Sequence, residues 1–176
     1  ELFPYGTSWV RKTNATTENK PLSVTMLSTT KNKTLGHKFR KKIVANLKNI
    51  KKKFPIHIHV SPPFLENKSV FLEQGKYSII VENAYEKNWF TEKIIDCFRL
   101  SIVPIYWGCP NINEFFDING IIPFKNSIEL KNILENNLSD KDFLKRKNAI
   151  KTNRRIAEKY CNFNKRVSEI IKSDQV

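Results

Sequence analysis

Residues 82–93 read Glu-Asn-Ala-Tyr-Glu-Lys-Asn-Trp-Phe-Thr-Glu-Lys, which gathers carboxylates, amides, an indole and ammonium groups into one short stretch. Its last three residues could do the most chemistry. Thr91 is of a type that caps helix N-termini, and Ile94, Ile95 and Phe98 after it can form the apolar face of a helix. A helix start offers free N–H groups and the positive end of the helix dipole, a pairing that attracts phosphate. Lys93 falls in that first turn, where a cation is mildly unfavourable unless an anion binds beside it. Thr91, Glu92 and Lys93 therefore make a candidate anion site, with Lys93 as a point charge on a diphosphate. The blander alternative is a capped helix start carrying an exposed lysine.

Other chemistry-bearing residues point less clearly. His57 and His59 stand two apart, but no carboxylate or cysteine partner has ligating spacing, so no metal is expected. Gly36-His37 reads as a turn with a surface histidine, the alternative being a second phosphate contact. Cys97, Cys109 and Cys161 are odd in number and lack paired spacing, which indicates neither a disulfide framework nor a zinc site and leads us to expect a reducing compartment.

The elements that must position these residues follow from periodicity. Alternating or continuous apolar runs predict strands over residues 22–28, 56–60, 77–82 and 102–107, with a further strand at 120–124. Pro104 predicts that its strand lies at an edge or bends. Phe39, Ile43, Val44, Leu47 and Ile50 recur at steps of three and four and predict an amphipathic helix over 36–53 with a basic outer face. Residues 64–74 read as a short helix or loop, 111–116 as a short helix, and 127–138 and 140–172 as helices. The β-α-β-α order predicts an α/β fold, a parallel sheet with helices on both faces. Residues 1–21 form an irregular lead-in and 22–176 the domain. In such sheets ligands bind beyond the carboxyl ends of the strands, where Glu82, Asn83 and the Thr91 helix start fall.

The stretch from 77 to 124, with Trp-Phe-Thr-Glu-Lys at 89–93 and Val-Pro-Ile-Tyr-Trp-Gly-Cys-Pro-Asn-Ile at 103–112, closely resembles the central motif of the α-1,3-fucosyltransferase family. The resemblance implies the C-terminal, Rossmann-like half of a two-domain transferase of the GT-B type, binding GDP-fucose as donor and transferring fucose with inversion to a hydroxyl of a glycan acceptor. It implies that Glu92 binds the ribose and Lys93 the donor phosphates, with Asn83 and Trp89 near the nucleotide. Trp89 stands where the family usually has tyrosine, so a hydrogen bond of the phenol is altered here. Arg40-x-x-Ile43-x-x-x-Leu47 is similar to a family helix whose arginine neutralises the leaving diphosphate, a role this carries to Arg40. Arg40 and Lys93 would thus be catalytic, and no cofactor or divalent cation would be required. The general base of the family belongs to the other domain, and none is assigned here. Tyr106, Trp107 and Gly108 are expected to pack and shape a turn, and Cys109 to be inert.

Composition bounds these readings. The chain has 176 residues, 40% hydrophobic and 27% charged, the balance of one globular domain. Its net charge of +14 favours anionic partners, although Lys-rich stretches near 48–53 and 141–151 read mainly as a solvated face. A basic nucleic-acid-binding module, using Arg154, Arg155 and Arg166, is the competing class, but no recognised nucleic-acid motif supports it. The same fold serving another nucleotide sugar is a third. With no apolar run of membrane-spanning length, a soluble, cytoplasmic chain is expected. Asn-x-Ser/Thr triplets at Asn14, Asn32, Asn67 and Asn137 carry little weight in an Asn-rich chain.

Overall fold

Five strands form one sheet in the order β2-β1-β3-β4-β5, and each adjacent pair is parallel. The strands are β1 (Val24–Thr29), β2 (Ile56–Ser61), β3 (Tyr77–Val81), β4 (Val103–Trp107) and β5 (Ile122–Pro123). In this computed structural model the described residues are 7–10, 15–47, 50–51 and 53–173. Helices α1 (Leu35–Asn46), α2 (Lys68–Leu72) and α3 (Glu92–Arg99) connect the strands, and α4 (Ser127–Asn132), α5 (Asp140–Lys145), α6 (Lys147–Tyr160) and α7 (Phe163–Ser173) follow the sheet.

The period-two side-chain alternation of the strands divides the core between the two faces of the sheet. Tyr77, Ile79 and Val81 of β3 join Val103, Ile105 and Trp107 of β4 on one face, beneath Ile43 and Leu47 of α1 and Leu130 of α4. Ile80 and Tyr106 point the other way, onto Leu72 of α2 and Ile94, Ile95 and Phe98 of α3. Both faces are covered by helices, as the α/β pattern predicts, and strands buried on both sides read as near-continuous apolar runs for that reason. The layout is a Rossmann-like parallel α/β sheet.

Three expectations need correction. Pro104 lies in β4, which is flanked by β3 and β5 and is not an edge strand. Val103 N–H bonds to the Lys76 carbonyl on the β3 side, so by alternation the Pro104 nitrogen faces the β5 side. Pairing with β5 begins only at Ile105, so no ladder bond is lost there. The helix expected over 36–53 ends at Asn46 with Leu47 as its C-cap, and Lys48, Asn49 and Lys52 lie outside the described residues. The helix expected over 140–172 is three helices. Arg146 stands at the junction of α5 and α6, binding Asp142 through Nε (2.9 Å) and Nη2 (3.0 Å) and the Asn119 carbonyl through Nη1 (2.8 Å). Asn162 starts α7 by accepting from Lys165 N–H at 2.9 Å, a cap signal present in the sequence.

Among the described residues no helix is long and apolar enough to cross a membrane. Residues 8–10 pack on α3 through a buried carboxylate. Asp96 of α3, with no solvent exposure, accepts from Ser8 Oγ (2.7 Å), Trp9 N–H (3.0 Å) and Val10 N–H (3.3 Å), and pairs with Lys68 of α2 at 2.6 Å.

The α6 helix is fixed to the β4–β5 connection by one amide. Asn153, fully buried, accepts from Asp117 N–H at 2.8 Å and donates to the Asp117 carbonyl at 2.8 Å. Asn153→Ala leaves both backbone groups without that partner and should cost about 2 kcal/mol, read as a lower urea midpoint with an unchanged slope.

Candidate functional site

The site lies where the strand order reverses. After β1 the chain crosses to β2 on one side, and after β2 it returns to β3 on the other, so the connections leave a crevice beyond the carboxyl ends of β1 and β3. A cleft of about 460 Å³ occupies it, with Leu27 to Thr29 and Ile79 to Val81 at its floor. Lys31, His37, Arg40, Asn83, Glu92 and Lys93 form its polar wall, and Trp9, Phe64, Leu65 and Leu72 its apolar one.

Two helix starts supply the polar wall. Thr34 caps α1 in a capping box with His37: Thr34 Oγ1 accepts from His37 N–H (3.2 Å) and His37 Nδ1 accepts from Thr34 N–H (3.2 Å). His37 is therefore not the surface residue expected, being only 9% exposed, because its ring is part of the cap. Arg40, one turn on, lies on the same face as Ile43 and Leu47, which anchor α1 in the core. Thr91 caps α3 as expected, accepting from Lys93 N–H at 3.5 Å.

Glu82 joins the two helix starts. It ends β3 with no solvent exposure, and its carboxylate accepts from Thr91 N–H (3.0 Å), Thr91 Oγ1 (2.7 Å) and Lys93 Nζ (3.3 Å). Lys93 Nζ also bonds Thr91 Oγ1 at 2.8 Å and lies 3.3 Å from the Glu92 carboxylate. A cation in the first turn is thus already balanced by two carboxylates of the chain, so its position alone does not require a bound anion. The backbone closes tightly around Glu82. A Cβ on Gly36 would sit 1.7 Å from the Glu82 carbonyl oxygen, and one on Gly108 would sit 2.5 Å from Glu82 Cγ. Gly36 N–H bonds the Asn83 carbonyl at 3.0 Å, which seats α1 directly on the end of β3.

Arg40 is electrostatically different. It is 5% exposed, and it donates through Nη1 to the Val81 carbonyl (2.5 Å) and through Nη2 to Asn83 Oδ1 (2.8 Å), both neutral acceptors. Its Nε makes no hydrogen bond, and among the described residues no carboxylate lies within ion-pair distance of the guanidinium. Burial pulls the Arg40 pKa down, and the more distant charges of Glu82 and Glu92 oppose that fall. The cleft wall therefore holds a buried, incompletely compensated cation, an arrangement that burial makes costly and that recurs at functional sites.

Four of the six expected site residues, Arg40, Asn83, Glu92 and Lys93, line the cleft together. Thr91 stands behind the wall and holds Lys93, and Trp89, 44% exposed, is not among the lining residues. Trp89 belongs to a loop pinned by a reciprocal amide contact: Asn88 N–H donates to Asn111 Oδ1 (2.9 Å) and Asn111 Nδ2 to Asn88 Oδ1 (2.7 Å). Tyr106 and Trp107 pack in the core, and Tyr106 Oη accepts from Cys109 N–H at 3.1 Å to hold the turn at Gly108. Reading the sequence alone did not bring in Lys31, Lys68, Trp9 or Phe64, which come from separate connections and carry no local motif. Among the described residues no group of three His, Cys, Asp or Glu side chains gathers to hold a metal, and His59 instead contacts the Pro63 carbonyl through Nε2 at 2.8 Å.

No protein-family model matches the chain. The chain is similar to the α-(1,3)-fucosyltransferase FucT of Helicobacter pylori, with 37% identity over 65 residues, 35% of this chain and 14% of that protein. A solved α1,3-fucosyltransferase superposes with a TM-score of 0.60 at 23% identity, covering 79% of this chain and 39% of that one. A solved α1,3-fucosyltransferase with GDP-fucose superposes with a TM-score of 0.55 at 22% identity, over 79% and 40%. The chain thus has the fold of part of these transferases, spanning well under half the length of each.

Glu82→Gln keeps the shape of the side chain but removes its charge from between Thr91 and Lys93. It should lower stability by about 3 kcal/mol, read by urea unfolding, because a buried charged partner is lost and three donors are left facing one amide oxygen.

Proposed function

We propose that the cleft binds the diphosphate of a nucleotide sugar, GDP-fucose, and that the chain supplies the donor half of an inverting fucosyl transfer to a glycan hydroxyl. The observation that carries this reading is Arg40, a buried cation facing a cleft at the strand-order reversal with, among the described residues, no carboxylate within ion-pair distance. A diphosphate there supplies the missing negative charge. On the same wall, Lys93 adds a second cation, while Glu92 has the acceptor oxygens to take ribose hydroxyls and Asn83 fixes the Arg40 fork. The partial sequence likeness to the Helicobacter pylori fucosyltransferase supports fucose as the donor sugar.

In the reaction, the acceptor oxygen forms a bond to fucose C1 as the C1–oxygen bond to the β-phosphate breaks. The electron pair of the broken bond passes to the diphosphate. Arg40 and Lys93 act where that charge grows, and their fixed positions stabilise it without reorganisation during the step. With cations of the chain in that role, no divalent ion or other cofactor is needed in the donor site. The acceptor and the base that takes its proton would belong to a second domain of GT-B type; no residue of the present chain is assigned as base. In this reading 22–176 is the donor domain and 1–21 a segment preceding it, with Thr91 holding Lys93 and Trp89 near the nucleotide.

Calorimetry with GDP, GDP-fucose, GDP-mannose and UDP-sugars tests the proposal. Guanine nucleotides should bind, and Lys93→Ala and Arg40→Ala should each weaken them about ten-fold or more, the size of a charged hydrogen bond. A folded sample, checked by circular dichroism, that binds no guanine nucleotide overturns the proposal. A preference for UDP-sugars moves the donor to another nucleotide sugar, and salt-sensitive RNA binding without GDP competition moves the function to nucleic acid.

A further inference from the structure

His37 occupies a place in the cleft wall that its capping role does not fully use. Its Nδ1 accepts from Thr34 N–H at 3.2 Å, so the neutral ring carries its proton on Nε2. Among the described residues Nε2 makes no hydrogen bond, while the ring lines the cleft with Arg40 and Lys93. The wall thus presents a neutral donor in the same cleft as two cations.

The charges facing the ring come from every element around it. Arg40 and Lys41 stand on its own helix, Lys31 on the preceding loop, and Lys93 on the first turn of α3. The carboxylates of the adjoining elements, Glu82 and Glu92, are engaged by Thr91 and Lys93. Burial lowers the His37 pKa below its ordinary value, and Arg40, Lys31, Lys93 and Lys41 push in the same direction. The ring is therefore neutral at neutral pH while the cleft is empty.

We propose that His37 is a third contact of the anion held by Arg40 and Lys93, donating Nε2–H into the cleft, and that binding of the anion takes up a proton at Nδ1. This rests on the reading of the cleft as a diphosphate site. Negative charge beside Nε2 favours the imidazolium. The incoming proton has an acceptor at hand, because Thr34 Oγ1 lies 2.8 Å from Nδ1 and can take a hydrogen bond from it in place of the one Nδ1 accepted. The sign follows from a pKa low in the empty protein and higher in the complex. Affinity is greatest below the lower value, falls as pH rises between the two, and is level above the higher one.

The test is isothermal titration of the whole chain with GDP-fucose, whose diphosphate diester has no proton to lose near neutrality. Titrations in two buffers of different ionisation enthalpy read proton uptake directly. Uptake of a fraction of a proton is expected, with affinity about five-fold tighter at pH 5.5 than at pH 7.5. His37→Gln keeps an N3 residue suited to the capping box and a donor in the cleft, but it cannot titrate. It should lose the uptake and the pH dependence. Binding without proton uptake, or a His37→Gln chain with the same pH dependence, overturns this inference and leaves the diphosphate site standing. No binding of GDP-fucose at any pH overturns the diphosphate site itself, and the inference with it.

Discussion

Glu82 is an acidic side chain with no access to solvent at the end of the middle strand, and such a group is tolerated only where donors surround it. Here Thr91 N–H, Thr91 Oγ1 and Lys93 Nζ supply them, all from one helix start. The demand of one buried carboxylate therefore fixes where α3 begins and how it is rotated. The same residue's backbone receives α1, whose Gly36 approaches too closely for any side chain. Both helix N-termini at the cleft are thus indexed to a single position on β3, and a rigid sheet end sets the spacing between Arg40 and Lys93.

The two cations so placed are unequal. Lys93 is held by Glu82 and Glu92, which makes it a structural ion pair as well as a cleft residue. Arg40 has only a carbonyl and an amide as partners. Lys68, like Lys93, is held by a buried carboxylate, so the uncompensated positive charge of the cleft lies mainly on Arg40 and Lys31. That asymmetry relocates the argument for anion binding from the helix start at Thr91 to the buried guanidinium on α1.

A second buried carboxylate does for the far wall what Glu82 does for the near one. Asp96 gathers the backbone of Trp9 and Val10, the hydroxyl of Ser8 and the ammonium of Lys68. Lys68 Nζ in turn lies 5.6 Å from the centre of the Trp9 ring. Residues 8–10 and α2 are locked to α3 through this cluster, so α3 contributes to both walls of the cleft, its N-terminus beside α1 on the polar side and its middle turn on the aromatic side.

What the sequence determined by itself was local or periodic. Alternating apolar runs marked the strands, three-and-four spacing marked α1, and Thr91 before an apolar face marked the start of α3, because each depends on neighbours within a few residues. Asn83, Glu92 and Lys93 were legible because they fall just past a strand or in a first helical turn, points that a parallel sheet brings to one edge, whereas Arg40, in the second turn of α1, was reached only through the family resemblance. Tertiary structure alone decided the rest. It showed that Pro104 sits in an interior strand below the reach of β5, that the stretch over 140–172 is broken at Arg146 and again after Tyr160, and that Lys93 is already paired. It also turned His37 from a surface residue into a buried cap. Each of these depends on which distant groups come within hydrogen-bond reach, and only the folded chain sets such distances.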